Sequence, residues 1–260
     1  MVAGALFWLG AALLPPLVAA PLAALIAGAS RAAFAAALAG LTLAAFAAGA
    51  AFTHFAVDLP RLAPSWRLAA APLSIAGVVA ATAFLVRDPQ ADVRRLAERL
   101  DRLARAVGMG AAWLVWAMAL VQFTIVVLRY VFGVNFIMMQ ESVTYLHGAL
   151  FLMTAGYALA TGDHVRVDLF YRDASPRRKA MIDLAGAYLF LFPFCLLVLW
   201  TAAPYVSAAW AAREGSNEQS GIQGVFLLKT LIPLFALVLI AAGFALASRA
   251  VDTLRSEKAA

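Results

Sequence analysis

Residues 161–183 read TGDHVRVDLFYRDASPRRKAMID and form a basic, polar stretch between two long apolar runs, 138–160 and 180–206. An α-helix needs about 20 mainly apolar residues to cross the hydrocarbon core of a bilayer, so each run is long enough to do so. Apolar runs that alternate with short basic loops are typical of helical membrane proteins. The stretch therefore predicts a chain that crosses a membrane several times.

The composition supports this prediction. The chain is 65% hydrophobic and 13% charged, whereas a soluble domain has about 25% charged residues. Backbone groups in lipid must be satisfied by a helix or a closed barrel, and long unbroken apolar runs favour helices over alternating strands. The net charge of +6 comes from basic loops beside apolar runs, which indicates membrane orientation rather than nucleic-acid binding.

We predict an all-α, polytopic membrane protein with about seven spans. The predicted spans are 3–27, 32–56, 67–86, 107–131, 138–160, 180–206 and 225–249. A stretch of different composition separates the first three from the last four. The predicted organisation is an N-terminal three-helix membrane extension (1–87), an amphipathic cytoplasmic linker helix (88–106), a four-helix membrane unit (107–250) and a cytoplasmic tail (251–260).

The linker, RDPQADVRRLAERLDRLARA from residue 87 to residue 106, has a helix-start signal in Asp88 and Pro89. Its apolar residues recur at helical spacing: Val93, Leu96, Leu100, Leu103 and Val107. Its arginines occupy the other faces: Arg94, Arg95, Arg99, Arg102 and Arg105. This pattern predicts an interfacial helix on the anionic lipids of the cytoplasmic leaflet. A solvated helix that joins two bundles is the alternative.

Lys and Arg counts predict the orientation. The 87–106 linker and the 161–180 loop are basic, with Arg177, Arg178 and Lys179 in the second, so we place both in the cytoplasm. The 132–138 and 207–224 loops are poor in Lys and Arg, so we place both on the periplasmic or extracellular side of the membrane. The C-terminus is then cytoplasmic and the N-terminus periplasmic.

Three charged residues lie at the ends of predicted spans. Arg129 and Glu141 lie at similar depth on neighbouring antiparallel helices, and we predict a salt bridge between them; a substrate or proton site is the alternative. Lys229 lies about one turn into the last span, where it can snorkel outward or cap a neighbouring helix end.

No cofactor or metal is expected. A b-type haem needs two histidines at matching depth, and His54, His147 and His164 lie at different predicted depths. The single cysteine, Cys195, can form no cysteine metal cluster, and the chain has no phosphate loop or hydrolase motif. We therefore predict no enzymatic activity.

Four motifs together resemble one family, the DctQ-like small membrane subunit of tripartite ATP-independent periplasmic (TRAP) transporters. They are Arg129 to Gly133, the Gln140-Glu141 pair, the GDHVRVD run from Gly162 to Asp168, and Lys229 to Pro233. The resemblance covers about residues 107–250, and the extension 1–106 departs from the family pattern.

The resemblance implies a non-catalytic scaffold subunit in the bacterial inner membrane. Its implied partners are a large membrane subunit, which holds the substrate and sodium sites, and a periplasmic binding protein that delivers organic acids, such as 2-oxo acids. His164, Arg166 and Asp168 would brace the cytoplasmic loop for assembly. The competing hypothesis is a membrane anchor of a redox complex.

Overall fold

The computed structural model describes residues 17–26, 30–55, 89–163 and 171–259. Every regular element in these ranges is helical. The helices are α1 (Leu17–Ile26), α2 (Arg31–Phe55), α3 (Pro89–Ala112), α4 (Leu114–Tyr130), α5 (Ile137–Thr161), α6 (Pro176–Gly186), α7 (Phe192–Ala212) and α8 (Val225–Ala259). A π-helical turn, Ala187–Leu191, joins α6 to α7.

Four continuous helical runs are long and apolar enough to cross a membrane. They are Gln90–Tyr130, Ile137–Thr161, Pro176–Ala212 and Val225–Ser256. They correspond to the last four predicted spans. Of the first three, 3–27 and 32–56 are helical where they are described, and 67–86 lies outside the described residues. The all-helical class and these four helices are thus observed, and the count of seven stays a prediction.

The linker and the span after it form one helical run. Helix α3 passes through residues 106 and 107 without a break, and only Trp113, itself in right-handed helical geometry, separates α3 from α4. The arginine-rich segment therefore leads directly into the apolar one. Its placement on a lipid surface stays a prediction.

Small residues let the helices approach closely. Gly108 of α3 lies against Tyr157 of α5, and Gly156 of α5 lies against Val238 of α8. Gly243 of α8 lies against Leu191, the last residue of the π-helical turn. A Cβ at any of these glycines would collide with its neighbour. At Gly243 the neighbour is the far end of the Leu191 side chain, which can rotate, so Gly108 and Gly156 are the glycines that limit the helix spacing.

Tertiary contacts divide the chain into two compact units. One comprises Met1–Ala97, Ser175–Leu184 and Ala247–Ala260, and Phe34 and Leu38 of α2 are fully buried there. The other comprises Glu98–Ala174 and Ala185–Leu246. Ala104, Ala160 and Ala242 form a buried cluster inside the second unit, which also holds the candidate site.

Candidate functional site

A polar cluster lies in the second unit where three helix ends meet. Glu141 is in the first turn and a half of α5, and Lys229 is in the second turn of α8. Between them runs the 213–224 loop, which starts where α7 ends at Ala212. Arg213 ends α7 in the left-handed conformation, with φ of 46°, and this turns the chain out of the helix.

Glu141 binds two separate points of the 213–224 loop. The hydroxyl of Ser216 donates to Oε1, and the backbone N–H of Ile222 donates to Oε2 at 2.6 Å. The N–H of Ser216 donates to the Ile222 carbonyl at 3.1 Å, which closes the loop on itself. We call Glu141, Ser216 and Ile222 the carboxylate clasp. Hydrogen bonds to an ionised acceptor are stronger than neutral ones, so the clasp ties the loop to α5.

Glu141 binds the 213–224 loop and does not pair with Arg129, as the sequence predicted it would. Arg129 and Glu141, both within the described residues, form no ion pair with each other, so that prediction was wrong. Both carboxylate oxygens of Glu141 are turned to the loop between α7 and α8. Similar depth on two antiparallel helices does not determine the direction in which each side chain points.

Lys229 makes the second attachment. Its Nζ lies 2.5 Å from Oε2 of Glu214, the second residue after α7, and 3.9 Å from the centre of the Tyr205 ring. A cation over an aromatic ring is attracted to the negative ring face. Lys229 therefore joins α8 to the end of α7, in a region where its charge has both an acidic and an aromatic partner.

Aromatic contacts close the same junction between α7 and α8. The indole Nε1 of Trp210 donates to the hydroxyl of Thr230 at 2.8 Å. The Trp210 and Phe226 rings meet edge to face, with centroids 4.8 Å apart. These contacts leave the 213–224 loop attached to α5, α7 and α8 together, so the three helix ends form one connected surface.

An open cavity of about 510 Å³ lies beside the clasp. Its lining consists of Asn135, Ile137, Gln140, Glu141, Thr144 and Glu218. Gln140 donates to the side chain of Asn135 at 2.7 Å, and Glu141 is committed to the loop. Small-molecule sites are concave and bury most of their ligand. This shallow, polar indentation is better suited to contact with another protein surface.

A second polar attachment lies at the opposite end of α5. Arg105 of α3 pairs with Asp101 at 2.7 Å and donates from Nη2 to the carbonyl of Ala160 at 2.7 Å. That carbonyl belongs to the last turn of α5, which is capped by Gly162 in the left-handed conformation with φ of 79°. The sequence predicts lipid contact for Arg105, which stays a prediction, and the structure shows that Arg105 also fastens α3 to α5.

Most of the remaining predicted residues lie at the surface. Arg129 and the side chains of Arg94, Arg95, Arg99 and Arg102 are exposed, as are Arg177 and Arg178, and Lys179 is partly buried. His164, Arg166 and Asp168 lie outside the described residues, so their bracing role is untested. His147 is exposed, and its ring stacks on Phe151 with centroids 6.3 Å apart.

The four long apolar helices define the class of the protein, a multi-pass helical membrane protein. A family model described as "Tripartite ATP-independent periplasmic transporters, DctQ component" matches residues 118–256, which is more than half of the chain. The chain belongs to the DctQ family, and the resemblance found in the sequence is confirmed. No curated protein and no solved structure matches it. Nothing in these comparisons supports the redox-anchor alternative.

Proposed function

We propose that this chain is the non-catalytic scaffold subunit of a sodium-coupled TRAP importer. It pairs with a large membrane subunit, and a periplasmic binding protein supplies an organic acid to the pair. Membership of the DctQ family supports the transporter role.

The distribution of charge supports a scaffold rather than a transport pathway. The central stretches of the four long helices contain no Asp, Glu, Lys or Arg: 106–128, 142–160, 184–212 and 230–248. A carrier that moves a carboxylate with sodium needs polar groups or broken helices near the middle of the membrane. In this proposal those groups belong to the large subunit.

The polar attachments support the same role. The carboxylate clasp and Lys229 hold one end of the bundle, and Arg105 holds the other. Helix α4 packs against α5 and has no buried residues of its own, so much of its apolar surface is available to lipid or to the large subunit. A firmly tied bundle with one open apolar face is what a fixed support for a moving partner requires.

The predicted orientation is part of the proposal. The 213–224 loop then faces the periplasm, where the binding protein docks, and the HVRVD run faces the cytoplasm. An Asn217→Cys variant in a Cys195→Ala background should react with an impermeant maleimide in intact cells. A Ser175→Cys variant should react only after the membrane is opened. The reverse pattern contradicts the orientation.

Transport assays in liposomes test the function. Liposomes that contain only this chain should take up no organic acid when a sodium gradient is applied. Uptake should appear when the large subunit and the binding protein are added, and the same mixture without this chain should show none. Sodium-driven uptake by the chain alone would refute the scaffold role.

A further inference from the structure

We propose that Arg99 and Arg102 form a binding site for the headgroup phosphate of an anionic phospholipid, at the level where α3 enters the membrane. The inference requires only that the chain crosses a membrane. Its failure would therefore leave the assignment as a transporter subunit unchanged.

The packing of α3 determines which side of the helix faces outward. Ala104 is fully buried, Gly108 lies against Tyr157, and Arg105 is bonded to the last turn of α5 through the Ala160 carbonyl. These contacts occupy one side of α3. Arg99 and Arg102 lie on the other side and are exposed.

The two arginines are neighbours on that exposed side. Residues three apart on a helix have Cβ atoms about 5–6 Å apart, so both guanidinium groups can reach one phosphate. Arg102 donates from Nε to the carbonyl of Glu98 at 3.3 Å, a bond within its own helix that holds the side chain along the surface. Of the nearby acids, Asp101 is ion-paired with Arg105, and Glu98 lies next to Arg99 in the sequence and one helical turn before Arg102.

Along the exposed side of α3, the side chains change from basic to apolar between Arg102 and Leu103. The exposed apolar side chains begin at Leu103, which is 54% exposed, and continue through Met109 and Trp113 at 61% and 72%. At about 1.5 Å per residue, Arg102 and Arg99 lie about 2 Å and 6 Å before Leu103 along the axis. The headgroup layer is about 5–8 Å thick on each side of the hydrocarbon core. If the core begins at Leu103, both arginines fall within this layer.

Charge selects the class of ligand. Arginine binds phosphate oxygens in a bidentate manner, and basic residues near a membrane surface attract anionic lipids. A zwitterionic lipid has the same phosphate but also carries a compensating cation. The pair Arg99 and Arg102 should therefore prefer phosphatidylglycerol or cardiolipin to phosphatidylcholine.

The test is a lipid titration of the purified full-length chain in phosphatidylcholine nanodiscs. Phosphatidylglycerol is added, and native mass spectrometry gives the Kd of the tightest-bound molecule. The variant is Arg99→Gln with Arg102→Gln. The control is Arg177→Gln with Arg178→Gln, which removes the same charge from another exposed basic pair. Both pairs are on the surface, so neither variant should disturb folding, and circular dichroism checks this.

We expect the Arg99 and Arg102 variant to bind phosphatidylglycerol about tenfold more weakly. Two basic residues are lost, and the negative charge of Glu98 already offsets part of their attraction for the phosphate. The control variant should keep the parent Kd. An equal loss in both variants would mean general attraction by net charge and would overturn the site. Parent-like binding by the Arg99 and Arg102 variant would overturn it too, and would leave an acidic segment of a partner protein as the candidate for these arginines.

Discussion

Replacing Gly108 with alanine tests the packing that joins α3 to the rest of the second unit. A Cβ at Gly108 would lie 2.9 Å from Cγ of Tyr157 and closer still to its Cβ. The Cβ of Tyr157 is fixed to the backbone, so only a shift of one helix can relieve the collision. Overpacking of this kind costs about 1–3 kcal/mol.

Gly110 supplies the matched control, because it lies two residues away on the same helix and an added Cβ there meets nothing within 4 Å. Both substitutions gain about the same helix propensity, up to about 1 kcal/mol, so their difference isolates the collision. A difference of 1–3 kcal/mol corresponds to about 2–12 °C in Tm for a protein of this size.

The assay is thermal unfolding of each purified variant in the same detergent, followed by circular dichroism. Gly108→Ala should unfold at a lower temperature than Gly110→Ala, and Gly110→Ala should match or exceed the parent. If the two variants unfold at the same temperature, the close contact between α3 and α5 is not present, and the arginine-bearing helix does not pack against α5 at Tyr157.

Two further predictions concern the 213–224 loop. Glu141→Gln should speed hydrogen exchange at the Ile222 amide, because the charge-assisted bond becomes a neutral one, whereas Glu218→Gln should not; equal rates in both would mean that the clasp does not hold the loop. Lys229→Glu should make the loop easier to cleave in limited proteolysis, and adding Glu214→Lys should reverse this by restoring an opposite-charge pair; no recovery in the double variant would mean that the pair does not hold the loop.

The helices were largely predictable because apolar length is a strong signal. The predicted spans 138–160 and 225–249 lie within α5 and α8, and the predicted span 180–206 lies within the run Pro176–Ala212. Membership of the DctQ family could also be predicted from the sequence. The motifs Arg129 to Gly133 and Lys229 to Pro233, on which the resemblance rests in part, lie inside the region that the family model matches.

The partners of polar side chains were harder to predict. Hydropathy places Glu141 at a depth, but it does not give the rotation of α5 about its axis, and that rotation turns the carboxylate to Ser216 and Ile222. Arg105 shows the same limit. Its charge suggested lipid, whereas the carbonyl of Ala160 became its partner only through the close packing at Gly108.

Purification from native membranes tests the central claim most directly. A tag on the C-terminus of this chain, expressed from its own locus, should recover a larger multi-span membrane protein in a fixed ratio after mild detergent extraction. The quantity to measure is that ratio, by mass spectrometry of the intact complex. Recovery of one large subunit for each copy of this chain is the predicted result. A stable complex that contains this chain alone, or this chain with a haem-bearing enzyme, would contradict the scaffold role.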